Sequence, residues 1–292
     1  MTDKQKRGVL FAILAAAFYA LNAPLSKLLL DEVPPMMMAA FLYLGAGFGM
    51  AVVQLIENRN GFADREQKLT KKELPYTLGM VMLDIAAPIA LMLGIIRTSA
   101  ANASLLNNFE IVATSLIALF VFNEVISRKL WLGIVLVTLS SVILSVQDMS
   151  SFSFSAGSIF VLIACTCWGL ENNCTRMLSS KNPVQIVVIK GIFSGLGSLV
   201  IALCTGEQFP NVVSILLALA LGFVAYGLSI MFYIYAQREL GAAKTSAYYA
   251  IAPFIGVALS LIIFAELPSV SFVAALLIMI AGTYVVTVAD NS

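Results

Sequence analysis

Apolar residues in this chain come in long continuous runs separated by short polar breaks, with no strand-like alternation. A helix rising about 1.5 Å per residue needs roughly 20 mostly apolar residues to cross the hydrocarbon of a bilayer. Ten runs meet that need: 8–30, 36–56, 74–96, 101–122, 129–146, 156–178, 184–204, 211–236, 243–264 and 269–289. The pattern predicts an all-α membrane protein with ten transmembrane helices. Connections are short apart from 57–73, which is charged and polar. The first run follows a basic N-terminus, as a signal peptide would. It outlasts an h-region and has no convincing cleavage site, so it reads as a retained helix.

Composition narrows the class further. Sixty per cent of residues are hydrophobic and 11% are charged, against about 25% charged in soluble domains. Mean hydropathy is +0.96. So few charges cannot cover a water-facing surface, and lipid is the expected solvent. A net charge of +1 gives no field for nucleic acid. The chain has no histidine, which removes His-based triads and most zinc sites. No cofactor or metal is expected. Cys165, Cys167, Cys174 and Cys204 all lie in apolar runs, so a disulfide framework is not expected.

Lys and Arg fall on alternate connections. One side collects Lys4, Lys6, Arg7, Arg59, Arg65, Lys68, Lys71, Lys72, Arg128, Lys129, Arg176, Lys181, Arg238 and Lys244. The other has Lys27 and Arg97 near span ends, and Lys190 lies inside a span. The positive-inside bias predicts both termini in the cytoplasm and the chain in the plasma membrane.

The sequence also repeats. An offset of 149 carries Lys27 onto Arg176 and Pro34 onto Pro183, and an offset of 142 carries Glu124 onto Glu266. The units are 1–148 and 149–292. Each has five spans, an odd number, so the second enters the membrane inverted. Inverted repeats are a transporter architecture with the site near the midplane between the halves.

Two five-span repeats whose fourth helices close on Phe122-Asn123-Glu124 and Phe264-Ala265-Glu266 resemble the drug/metabolite transporter superfamily, EamA-type branch. Trp168-Gly169 and Ala252-Pro253-Phe254 also look like that family, whereas Glu110-Ile111 stands where the family often has a proline. The resemblance implies ten helices around a central cavity and movement of small metabolites.

Ionisable groups in hydrocarbon are expensive and mark candidate sites. Asp84 and Glu110 lie near the middle of spans three and four, and Glu171 and Lys190 lie about one turn from the middle. Asp84 and Glu110 are expected on neighbouring spans, with no cation at their depth. Glu171 and Lys190 read either as a structural pair or as part of the site. Helical spacing groups Tyr19 with Asn22 and Ser26, and Trp168 with Glu171 and Thr175. It also groups Asn107 with Glu110 and Thr114, beside Ser104, Asn108 and Ser115, then Tyr226 with Ser229 and Tyr233, and Ser246 with Tyr249 and Pro253. Asn22, Asn107, Asn108, Asn172 and Asn173 read equally as bonds between helices. Tyr43, Tyr76 and Tyr284 read as interfacial anchors. Gly45, Gly47 and Gly49, with Gly191, Gly195 and Gly197, read as packing seams. Pro88 and Pro253 read as interruptions of their helices.

The substrate and coupling candidates are therefore Asp84, Glu110, Glu171, Lys190, Tyr19, Asn22, Asn107, Asn108, Trp168, Asn172, Tyr226 and Tyr249. The expected activity is secondary transport of a small organic metabolite by alternating access, linked to protons through Asp84 or Glu110. An amino-acid-like substrate is preferred, its amine meeting a carboxylate and its carboxylate meeting Lys190 or Asn. The alternative is a membrane-embedded enzyme acting on a lipid or lipid-linked substrate. That chemistry would want acids or His clustered at one interface, and here the acids are dispersed at mid-depth.

Overall fold

Hydrocarbon offers no partner to a backbone N–H or C=O, so a chain that crosses it as separate segments closes those bonds within helices. The computed structural model, which describes residues 3–59, 67, 69–122, 127–148, 153–178, 181–240, 245 and 248–290, is helical at every expected span. Among the expected features, Arg65, Lys68, Asn123, Glu124, Lys244 and Ser246 lie outside the described residues.

Helices α1 (Asp3–Ala20) and α2 (Asn22–Leu29) form the first span. The second and third are α3 (Pro35–Arg59) and α4 (Leu74–Ile95). Helices α5 (Ala100–Leu106) and α6 (Phe109–Phe122) share the fourth, and α7 (Arg128–Ser145) is the fifth. The sixth and seventh are α8 (Ala156–Leu178) and α9 (Pro183–Cys204). In the eighth, a π-helical stretch, Phe223–Leu228, joins α10 (Val212–Gly222) to α11 (Ser229–Leu240). Helix α12 (Ala252–Phe264) belongs to the ninth span and α13 (Val270–Asp290) is the tenth. Among the described residues, seven helical stretches are long and apolar enough to cross a membrane. The Glu171-Asn172-Asn173 stretch lowers the hydropathy of α8, while α12 and the apolar part of α13 are shorter. A two-stranded antiparallel ladder, β1 (Val146–Asp148) with β2 (Ser153–Phe154), links the halves.

Short polar connections stop these helices because they supply caps. The side chains of Ser99, Ser127, Asn182 and Asn211 each accept the backbone N–H three residues on, satisfying donors that a helix N-terminus leaves open.

The protein is an all-α membrane protein of ten spans in two inverted halves. Helix α3 packs on α9, α5 on α12 and α7 on α13, each against its counterpart in the other half. Span three packs on span six, through α4 and α8, as span eight packs on span one, through α11 and α1. Glycines set the closest approaches. A methyl group on Gly191 would overlap the backbone of Gly47, so α3 and α9 touch main chain to main chain. Gly45 and Gly49 instead face Leu219 and Phe223 of the eighth span, which makes two seams on α3 where one was expected. Pro88 does not interrupt its helix; it lies inside α4.

Candidate functional site

Four spans are irregular at mid-length. The first breaks at Leu21, where Pro24 has no N–H to offer the carbonyl of Ala20. The fourth breaks at Asn107-Asn108, and both the backbone and the side-chain amide of Asn108 donate to the Leu105 carbonyl, at 3.2 and 3.3 Å. Asn competes with helix bonds in this way. The eighth span carries the π-helical stretch around Tyr226, and the ninth turns at Ala250-Ile251 just before Pro253. Irregular backbone at membrane depth persists where protein or a cavity covers it, and transporter sites are commonly built from such broken helices.

On one side of this centre stands a buried charged cluster. The Lys190 ammonium on α9 lies 3.1 Å from Asp84 Oδ2 on α4 and 3.1 Å from Glu171 Oε1 on α8. Asp84 is fully buried. Tyr43 donates to Asp84 Oδ1 at 2.8 Å, Trp168 Nε1 donates to the Tyr43 hydroxyl at 3.5 Å, and Thr175 donates to Glu171. The expectation that Asp84 has no cation at its depth is thus overturned. A helix turn separates Lys190 from its span centre, and a lysine stem is long enough to bridge that gap. Tyr43 is not an interfacial anchor either: it is buried and holds Asp84 in place.

The matching positions of the other half are uncharged. The repeat offsets carry Glu171 back to Asn22 and Asp84 forward to Tyr226. Asn22 Nδ2 donates to the Tyr226 hydroxyl at 2.9 Å, and Ser26 donates to Asn22 Oδ1 at 3.1 Å. Aromatic rings gather here. Tyr226 stands 5.1 Å from Tyr43 and 6.1 Å from Tyr19, and Tyr249 stands 5.9 Å from Tyr19 and 4.9 Å from Tyr233, centroid to centroid.

Glu110 and Asp84 are not partners. Helix α4 packs on α8 and α9, while α6 packs on α8. Glu110 Oε1 accepts from Asn172 Nδ2 at 2.6 Å, and Asn172 also reaches Thr114 at 3.3 Å. Asn173 donates to its own helix at Gly169 O, 2.8 Å, a structural role. Asn108 Oδ1 accepts from Thr283 of α13 at 3.4 Å, which ties it to the tenth span. Asn107 lies against Cys165, whose thiol is 3.9 Å from Asn107 Oδ1.

A crevice of about 190 Å³ opens between spans one, four and nine, lined by Tyr19, Ala20, Ser104, Asn107, Pro253 and Gly256 among others. Much of that volume is open to solvent, and the enclosed part has room for little more than a water molecule. The Ser104 hydroxyl, 3% exposed, has no hydrogen-bond partner. No group of three or more His, Cys, Asp or Glu among the described residues is placed to hold a metal ion.

The sequence profile of the EamA-like transporter family matches residues 6–146 and again 155–288. An uncharacterized transporter of Methanothermobacter thermautotrophicus is 26% identical over 294 residues, covering 95% of this chain and 85% of that protein. The uncharacterized transporter YyaM of Bacillus subtilis is 20% identical over 196 residues, 64% of each chain. A solved structure described only as that of a protein superposes with a TM-score of 0.70 at 14% identity, covering 96% of both chains. That likeness concerns the fold.

Proposed function

The chain belongs to the EamA-like transporter family, and from that premise we propose that it carries a small organic metabolite across the membrane by alternating access. The observation that supports this is the meeting of four irregular spans at one polar, aromatic centre between the two halves. Tyr19, Asn107 and Ser104 line the crevice there; Tyr226, bonded to Asn22, and Tyr249 pack against Tyr19. Trp168, Glu171, Lys190 and Asp84 form its charged wall, with Glu110 and Asn172 beside them. Asn108 serves as a tie to the tenth span.

Rocking of one group of helices, drawn from both halves, against the rest would expose this centre to each face in turn. The glycine contacts between α3 and α9 support such sliding, because backbone surfaces without side chains have no knobs to disengage. We place both termini in the cytoplasm and the chain in the plasma membrane, on the Lys and Arg distribution. Asp84 and Glu110 are the proposed proton carriers. Two carboxylates share one ammonium and Glu110 meets an amide instead, which leaves carboxylate that protons or a cation can neutralise. The units 1–148 and 149–292 are the proposed inverted repeats, and their helices interleave.

The test is accessibility. A Ser104→Cys variant on a Cys-free background should react with a membrane-impermeant thiol reagent in both right-side-out and inside-out vesicles. A solute that enters proteoliposomes by counterflow should protect it. Reaction from one face only, under every condition, would remove alternating access.

A further inference from the structure

Among the described residues, the polar centre has no spare cation for a substrate carboxylate. Lys190, the Lys or Arg buried at this depth among the described residues, already contacts two carboxylates at 3.1 Å each. The other basic residues near span ends are engaged at one membrane face. The Lys27 ammonium donates to the carbonyls of Ile95 and Thr98, and Arg97 donates to the Leu93 carbonyl. Glu110 has an amide partner in Asn172 and, among the described residues, no Lys or Arg within ion-pair distance. Asp84, Glu171 and Glu110 therefore face one ammonium.

Two features next to this surplus of carboxylate await a donor or a cation. The Ser104 hydroxyl is buried without a partner and lines the crevice. The carbonyl of Ala20, which Pro24 cannot serve, lies in the same wall against Gly256. Tyr19 lines the same crevice, and the rings of Tyr226 and Tyr249 pack at 6.1 and 5.9 Å from its ring, all three within electrostatic reach of Glu110. Aromatic faces attract cations through the negative face of the ring quadrupole, and clustered rings are a recurrent receptor for ammonium groups.

We infer that the central site takes an organic ammonium ion that bears no carboxylate, with Glu110 as counter-charge, the tyrosine rings as its walls and Ser104 with the Ala20 carbonyl as polar contacts. This rests on the transport reading and refines it. It departs from the amino-acid-like preference, because Lys190 is held by Asp84 and Glu171 and a substrate carboxylate would be left with Asn side chains alone. A zwitterion would bring its carboxylate into a region already rich in carboxylate, a like-charge approach that costs affinity.

Matched probes separate the possibilities in purified full-length protein. Choline, glycine betaine and dimethylbutanol share a shape and differ in cation and carboxylate; phenethylamine and phenylalanine differ in the carboxylate alone. Binding is read by calorimetry, with thermal shift as a second readout. Choline or phenethylamine should bind at least about tenfold more tightly than its carboxylate-bearing and uncharged analogues. Glu110→Gln should lose that preference. Should that variant misfold, Tyr249→Leu should weaken the same cation about tenfold while Tyr249→Phe keeps it, since the ring face is the contact. Zwitterions binding as tightly as their amines would overturn the assignment. So would failure of both choline and phenethylamine to bind, or cation binding indifferent to Tyr249→Leu. The transport reading stands or falls separately, on the two-sided labelling of residue 104.

Discussion

Asn22 and Tyr226 share a 2.9 Å hydrogen bond at the positions where the other half of the molecule carries Glu171 and Asp84. One set of helix contacts, used twice, is filled once by neutral groups and once by charges. The charged copy needs Lys190, because two carboxylates packed at that depth cannot both stay ionised without a cation. The neutral copy needs no third residue. The two halves thus share a frame and differ in electrostatics, which concentrates negative charge on one wall of the centre.

The first prediction concerns Lys190. Removing one partner of a buried ion pair typically costs about 3–5 kcal/mol, because it strands the other charge. Lys190→Met strands two carboxylates and should lower the melting temperature of the detergent-solubilised protein more than Asp84→Asn does, since Glu171 still holds Lys190 in the latter. Combining Lys190→Met with Asp84→Asn and Glu171→Gln should recover part of the loss. Strictly additive losses would show that the three do not act together.

The second concerns the seams. A methyl group at Gly191 would overlap Gly47 backbone, and one at Gly222 would overlap the Leu42 carbonyl. Overpacking of this kind costs about 1–3 kcal/mol or more. Gly191→Ala and Gly222→Ala should both lower the melting temperature. Gly79→Ala, whose nearest neighbour is the Cys174 sulfur at 3.1 Å, should change it little. Equal effects at all three positions would remove the close approach as the cause.

The third concerns pH. Glu32, in the connection between spans one and two, accepts from the Ser214 hydroxyl and from Asn211 Nδ2 at 2.9 Å. These bonds, Ser214 first and Asn211 second, hold its carboxyl below the usual Glu range. A carboxyl depressed in the folded state stabilises fully above its unfolded pKa, roughly 4.3, and loses that contribution as pH falls through the folded value. The stability difference between the parent and Glu32→Gln should therefore be constant above about pH 6 and shrink as pH falls below roughly 4. Melting curves across that range measure it, and a difference unchanged down to roughly pH 3 would contradict the shift.

The fourth concerns orientation. On a Cys-free background, Arg65→Cys should be labelled by an impermeant reagent only from the cytoplasmic side, and Ser150→Cys only from outside. The opposite pattern would reverse the topology. The ion pairs Arg7–Glu239, at 2.9 Å, and Lys181–Glu73, at 3.4 Å, each join segments assigned to the same cytoplasmic face.

The sequence by itself determined where the spans lie and how many there are, because hydrocarbon forces each apolar run to satisfy its own backbone. It determined the five-and-five repeat through offsets, and it marked Asp84, Glu110, Glu171 and Lys190, because charge at that depth is rare enough to stand out. Tertiary structure alone decided the partners. Helical spacing reports which residues share a face of one helix, not which helix that face meets. Lys190 therefore reads from the sequence as a mate for Glu171, while the packing of α4 between α8 and α9 brings Asp84 to it as well. For the same reason Tyr43 resembles a membrane anchor in sequence and proves to be the hydroxyl donor to Asp84. The break at Leu21 had a local signal in Pro24, but the π-helical stretch at Phe223–Leu228 had none. Apolar residues there are compatible with either helix, so the choice between them rests on neighbouring spans and is not written in local propensity.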